Sequence, residues 1–215
     1  MSGIDQHLVV AVTGASGAIY AVRLLKACLE LGVHVDLVVS DYGKRLLIDE
    51  CDLNLKAESV EAWLDRRCGP ADRPGKVSMR GSGDLGADIA SGSVQRDGMV
   101  VVPCSMKTLS GIAAGRASNL VERAADVTLK EGRRLILVPR ETPLNLIQLE
   151  NMTRAARAGA SIVPAMPAFY YRPRDIDHLA DFIVGRVLSL LDIPHELFGP
   201  WNGKPPQRGE LARDR

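Results

Sequence analysis

The chain reads as a three-layer α/β/α fold built on a mainly parallel sheet. Three observations predict it. Apolar runs of strand length alternate with helical patterns from Leu8 to the final helix. The runs are continuous rather than alternating, as in strands covered on both faces. Two of them, Met99–Val102 and 134–138, end in polar turns, P-C-S-M-K-T-L and P-R-E-T-P. Open α/β sheets bind ligands at those carboxyl ends.

The elements follow in order. Leu8 to Val12 has the length of a buried strand, and T-G-A-S-G follows it. A helix over Ala18–Leu31 is closed by Gly32, and a strand from Val33 to Val39 completes a βαβ unit. Ser40 can cap a helix over 41–50, and Glu58–Arg66 reads as another short helix. Between Cys68 and Gly98 the chain is rich in Gly, Ser, Asp and Pro with little periodicity, so one long loop is expected there. The strand Met99–Val102 should stop at Pro103. Helices over 106–114 and 119–131, a strand 134–138, a helix 144–158, a short strand 160–163 and a helix 175–191 complete the alternation.

A length of 215 residues suits one well-buried domain, assigned to residues 1–200, with a polar tail over 201–215 that is either loose or an arm on a neighbouring subunit. The 27 Lys and Arg nearly cancel the 26 Asp and Glu, which argues against nucleic acid and anionic membranes as partners. Cys28, Cys51, Cys68 and Cys104 form no CxxC pair, so reduced thiols in a cytoplasmic protein are expected. The amino terminus M-S-G-I-D-Q-H lacks a basic region and a long apolar run, so neither export nor membrane insertion is expected.

Several constellations carry chemistry. T-G-A-S-G-A-I sets small residues and free N–H groups at a helix start whose dipole favours an anion: a phosphate or cofactor turn, or simply a tight strand-to-helix turn. It is not GxGxxG, and Ser40 rather than an acid ends the second strand. P-C-S-M-K-T-L repeats the device, with Ser105 and Thr108 either side of Lys107; its hydroxyls also suit plain helix caps. Arg123 and Lys130, seven apart, share a helix face, solvated or phosphate-binding. Arg140 and Glu141 sit on a fixed strand end, where Arg suits bidentate phosphate binding and an ionised Glu suits a base. P-A-M-P-A-F-Y-Y-R-P gathers Tyr170, Tyr171 and Arg172 in a chain with three Phe, two Trp and four Tyr; a core-packing loop is the plain alternative. Arg186 lies in the last amphipathic helix, where a salt bridge is the plain alternative. The four histidines are scattered and give no metal site, and G-A-S-G-A is not the G-x-S-x-G of a hydrolase.

Taken in order, G-A-S-G-A, I-A-S-G-S, P-C-S-M-K-T-L-S-G, E-R-A-A-D-V-T-L-K-E, L-V-P-R-E-T-P, L-E-N-M and P-A-F-Y-Y-R-P resemble the bacterial flavin prenyltransferases of the UbiX type. The resemblance runs from Val9 to about Trp201 and implies a Rossmann-like, flavodoxin-like three-layer α/β/α fold in a homo-oligomer, trimers within a dodecamer, with FMN at subunit contacts. It implies that dimethylallyl phosphate alkylates reduced FMN at N5 and closes a ring at C6, without a metal. The product, prenylated FMN, would serve a UbiD-type decarboxylase in ubiquinone biosynthesis or aromatic-acid degradation. By the same resemblance Gly14, Ala15, Ser16, Ser40, Ser105, Met106, Lys107, Thr108 and Arg140 match FMN contacts. Tyr170 and Arg186 match dimethylallyl phosphate contacts, Arg123 and Lys130 are further phosphate cations, and Glu141 with Ser16 handles protons. Residues 57–88 carry no matching motif. A direct FMN-dependent decarboxylase is the enzymatic alternative, but neither its catalytic His nor a P-x-M-N motif is found; a non-catalytic flavin-carrying subunit is the other.

Overall fold

The computed structural model describes residues 6–199. Six strands, β1 (His7–Val12), β2 (His34–Val39), β3 (Val77–Arg80), β4 (Gly98–Cys104), β5 (Arg134–Pro139) and β6 (Ser161–Ile162), form one sheet in the order β3-β2-β1-β4-β5-β6. Every pairing is parallel. This is the doubly wound order of dinucleotide-binding folds; without the short edge strand β3 it reduces to the flavodoxin order.

Seven α-helices cover the sheet: α1 (Ala18–Glu30), α2 (Asp41–Cys51), α3 (Val60–Cys68), α4 (Met106–Ala113), α5 (Leu120–Lys130), α6 (Leu146–Arg157) and α7 (Ile176–Leu190). The alternation of side chains along each strand divides them between two cores. Leu8, Val10 and Val12 of β1 pack with α1, α2, α3 and α7, around Leu24, Leu25 and Trp63. Val9 and Ala11 pack with α4, α5 and α6, around Leu109, Leu120 and Ala155. Both sides of each central strand must therefore be apolar. An ion pair adds to the packing of α7 on α1: Arg23 Nε donates to Asp181 Oδ1 at 2.7 Å and Arg23 Nη2 to Oδ2 at 2.5 Å.

The expected long loop holds two elements that the sequence reading missed. V-S-M-R forms β3 against β2, and Asp88–Ala90 forms a 3₁₀ turn. β3 has only four residues, half of them exposed, so it lacks the apolar run that marks its neighbours. Pro103 does not stop β4, which reaches Cys104; its place is a register shift between Val101 and Cys104, where a missing N–H costs no ladder bond. The short helix starts at Val60 rather than Glu58 because Ser59 Oγ accepts from Ala62 N at 3.1 Å and caps it. The boundary expected after residue 200, and the tail beyond it, lie outside the described residues. No helix among the described residues is long and apolar enough to cross a membrane.

All four cysteines are free; Cys68 is exposed. Burial pushes the Cys28 and Cys104 thiols up to about 12 and Cys51 up to about 11, which leaves little reactive thiolate at these three positions near neutral pH.

Gly43, in the first turn of α2, lies against the end of β1: a Cβ there would stand 2.5 Å from the Val12 carbonyl oxygen, which is backbone and cannot turn aside. Gly43→Ala should push α2 off the sheet and destabilise the fold by about 1–3 kcal/mol. Thermal unfolding measures the loss; an unchanged midpoint would contradict this packing.

Candidate functional site

Between β1 and β4 the strand order reverses, and the chain leaves their carboxyl ends on opposite sides of the sheet. A crevice opens there. A cavity of about 500 Å³ fills it, lined by three turns, Thr13–Ala15, Ser40–Tyr42 and Ser105–Thr108, with Arg140 and Glu141 after β5 and Asn119 and Glu122 at the start of α5.

Local chemistry fixes these turns. Thr13 Oγ1 donates to the Pro103 carbonyl at 2.8 Å and accepts from Ser105 N at 2.8 Å, which ties the end of β1 to the end of β4. Ser105 caps α4: its Oγ accepts from Thr108 N at 3.2 Å and donates to Thr108 Oγ1 at 3.1 Å. The first N–H groups of a helix have no intrahelical acceptor. Those of Met106 and Lys107 therefore suit an anion, beside the exposed Lys107 side chain. Gly14 lets two turns meet, since a Cβ there would stand 2.6 Å from Tyr42 Cβ.

The start of α1 is occupied differently. Gly17 N and Ala18 N both donate to Glu50 Oε2 at 2.8 Å, so the anion at this helix dipole is the chain's own carboxylate. A phosphate held by these two N–H groups would have to displace it. Ser16 stays at the rim, where its carbonyl accepts from Arg140 Nε at 2.8 Å. Glu141 is exposed, with Oε1 accepting from Thr142 N at 3.0 Å.

The cavity thus gathers Gly14, Ala15, Ser40, Ser105, Met106, Lys107, Thr108, Arg140 and Glu141, with Ser16 beside them. It does not gather the others. Arg123 and Lys130 lie on α5, where Arg123 Nε donates to Ala90 O at 3.1 Å and Nη1 to Asp126 Oδ2 at 2.9 Å, while Lys130 Nζ meets Glu131 Oε1 at 2.8 Å. Tyr170 belongs to an aromatic cluster at α7, its ring 5.2 Å from Tyr171 and 6.0 Å from Phe182. Arg186 is exposed on α7, close enough to His195 to add to the lowering of its pKa by burial. Sequence reasoning gave no role to Thr13, although it stands in the T-G-A-S-G turn, and missed Asp41, Tyr42, Ser82, Asn119, Val121 and Glu122 of the lining, as well as Glu50; the local signal was the spacing of Asn119 and Glu122, since Asn119 Oδ1 accepts from Glu122 N at 3.0 Å and Glu122 Oε2 accepts from Ser118 N at 2.9 Å. Among the described residues no group of three or more His, Cys, Asp and Glu is placed to hold a metal ion.

A doubly wound sheet with hydroxyls, helix N–H groups and two cations around its switch-point cavity defines a protein of the nucleotide- or flavin-binding α/β class. The family model described as Flavoprotein matches residues 3–188. The flavin prenyltransferase UbiX of Halalkalibacterium halodurans is 48% identical over 192 residues, 89% of this chain and 91% of the relative; that of Pseudomonas aeruginosa is 42% identical over 203 residues, 94% and 96%. The crystal structure of AnUbiX in complex with FMN and dimethylallyl pyrophosphate superposes with a TM-score of 0.82 at 42% identity, covering 93% of this chain and 99% of that one. A dodecameric FMN-dependent UbiX-like decarboxylase from Escherichia coli O157:H7 gives 0.81 at 44%, covering 92% and 100%. The chain belongs to the flavoprotein family, among the UbiX flavin prenyltransferases.

Glu50→Ala removes a charged acceptor shared by two helix N–H groups. A loss of about 2 kcal/mol of stability is expected, with partial recovery in Glu50→Gln, by denaturant unfolding. Equal stability of all three proteins would show that water replaces the carboxylate at no cost.

Proposed function

We propose that the protein is a metal-independent flavin prenyltransferase that moves the five-carbon group of dimethylallyl phosphate onto reduced FMN. The observation that supports this best is the switch-point cavity, lined by the two hydroxyl turns with Lys107, Arg140 and Glu141, in a chain so similar to a structure holding FMN and dimethylallyl pyrophosphate.

The residue set fits the flavin. A volume of about 500 Å³ lies in the range of cofactor sites. The open N–H groups of α4 and the two cations suit a phosphate and polar ring edges, with Gly14, Ala15, Ser16, Ser40, Ser105, Met106, Lys107, Thr108 and Arg140 as the contacts. When bound and reduced, FMN supplies the nucleophilic N5 and C6 positions that take the prenyl group.

The chain's own side chains supply the rest. Arg123, Lys130 and Arg186 hold the substrate phosphate and stabilise the negative charge that grows on it as the allylic C–O bond breaks. The Tyr170 ring stabilises the allylic cation through its π face. Glu141, on a fixed strand end, accepts the proton lost from C6, with the Ser16 hydroxyl as relay.

In one chain these cations and Tyr170 stand apart from the cavity, so we assign them to the cavities of neighbouring copies. Exposed apolar side chains are available for contacts between copies: Leu146 and Ile147 on α6, 69% exposed, and Phe169, next to Tyr170 in sequence, 72% exposed. The dodecamer of the Escherichia coli relative is the arrangement we assign to this chain. Residues 1–200 would form one flavin-binding domain, with 201–215 as a tail. The product would pass to a UbiD-type decarboxylase in the cytoplasm.

Anaerobic incubation with reduced FMN and dimethylallyl phosphate should yield a flavin heavier by one five-carbon unit, read by mass spectrometry. Glu141→Gln should keep FMN binding and form product at least about 10²-fold more slowly. Unmodified FMN from the wild-type protein would favour a carrier role instead.

Composite sites predict complementation. Oligomers of Glu141→Gln or Lys130→Ala alone should be nearly inactive, while co-expressed mixtures should regain activity, because some sites then draw intact Glu141 and Lys130 from different chains. No gain on mixing would place both residues in one chain's site.

A further inference from the structure

Four charged side chains at the β2–β3 edge form a closed ring that the proposed chemistry does not use. Asp36, fully buried in β2, accepts from Arg80 Nε at 2.8 Å through Oδ1 and from Arg96 Nε at 2.7 Å through Oδ2. Asp88 Oδ2 accepts from Arg80 Nη2 at 3.2 Å and from Arg96 Nη2 at 2.9 Å. Each arginine thus spans both acids, one nitrogen to each. His7 Nε2 also lies 3.0 Å from Asp36 Oδ2, but burial lowers its pKa, so the arginines carry the compensating charge at neutral pH.

A buried carboxylate is tolerated when its partners are held in fixed geometry, and removing one partner strands the rest. What this ring holds is the 3₁₀ turn. Asp88 opens that turn, and its Oδ1 accepts from Ile89 N at 2.9 Å. Ala90 closes it, and its carbonyl accepts from Arg123 Nε. With Nε on Ala90 and Nη1 on Asp126, the planar guanidinium has a set orientation and presents Nη2 in one direction.

The chain beyond the turn is held just as firmly. Arg133 donates to the carbonyls of Gly92 and Val94, both at 2.8 Å. Beside Gly92 lies the flexible Glu131 carboxylate, which a Cβ would meet at 2.0 Å. The turn therefore has little freedom on its far side, and Asp88 is the point at which the ring's rigidity reaches it.

We propose that Asp88, locked by Asp36, Arg80 and Arg96, is a positioning residue that orients the Arg123 guanidinium for the substrate phosphate. The proposal rests on the role of Arg123 as a phosphate cation given above.

The test compares steady-state kinetics of the full-length protein, with dimethylallyl phosphate varied, and FMN affinity by titration. Asp88→Ala should raise KM for dimethylallyl phosphate about tenfold, as for loss of a charge-assisted contact, and leave the FMN Kd within about twofold. Asp88→Asn, which keeps an acceptor for Ile89 N, should recover part of the loss. In an Arg123→Ala background, Asp88→Ala should add nothing, because the side chain it orients is gone; a merely structural role would still add its full effect. If Arg123→Ala itself leaves KM unchanged, the phosphate role of Arg123 falls and the proposal with it. If Arg123→Ala raises KM and the two changes multiply, the positioning role alone is overturned. Should Asp88→Ala fail to fold, Arg96→Lys replaces it, keeping a charge beside Asp36 while losing the second donor to Asp88; an unchanged KM there likewise overturns the proposal.

Discussion

One hydroxyl organises the functional end of this molecule. Thr13, 1% exposed, donates to the Pro103 carbonyl and accepts from Ser105 N, so it bridges the two central strands where their chains part. A parallel sheet closes its ladder with strand-to-strand bonds only as far as both strands continue, and beyond that point each backbone group needs another partner. Thr13 supplies partners to both chains at once. The turn after β1 and the turn opening α4 are thereby held at a fixed separation, and the width of the cavity between them follows. Its position also explains why Pro103 is tolerated inside β4: the strand is already at its register shift, and the proline contributes a carbonyl, not an N–H.

The central layers were legible because two-sided burial leaves a strong mark. Val9, Val10, Ala11 and Val12 face alternate cores, so none of them can be polar, and the run stands out in one sequence. β3 left no such mark, since an edge strand is paired on one side only and Met79 is 49% exposed. Asp36 would argue against a buried strand by composition alone. It is accommodated because Arg80 comes from the neighbouring strand and Arg96 from the approach to β4, 44 and 60 residues away in sequence.

The same division applies to the site. Turns whose chemistry is local were readable: Ser40 and Ser105 cap helices three residues downstream, a pattern complete within one short segment, and Asn119, overlooked, carries the same mark. Glu50 was not readable, because it meets Gly17 across 33 residues and nothing around it marks a cap for another helix. Tyr42 likewise lines the cavity only through the close approach of its turn to Gly14, whereas Glu122, against Gly111, is also held locally by Ser118 N. The seven-residue spacing of Arg123 and Lys130 placed them on one helix face, as expected, but spacing says nothing of which cavity that face serves.

The separation of the cations within one chain has an electrostatic rationale. Lys107 and Arg140 already line the cavity. Asp41, Glu122 and Glu141 line it with them, so Arg123, Lys130 and Arg186 around the same space would leave an excess of positive charge while no substrate is bound, at a cost that rises as water is excluded. In the single chain Arg123 instead rests on Asp126 and Lys130 on Glu131, both at accessible positions where pairing is weak. The partner of Lys130 is readily exchanged, while the Arg123 guanidinium stays anchored through Nε on the Ala90 carbonyl. A phosphate ester entering a site between copies would present more charge and better hydrogen-bond geometry than either carboxylate. Under the proposed arrangement the monomer folds without an excess of positive charge, and the cations would meet the anionic substrate only where neighbouring copies join.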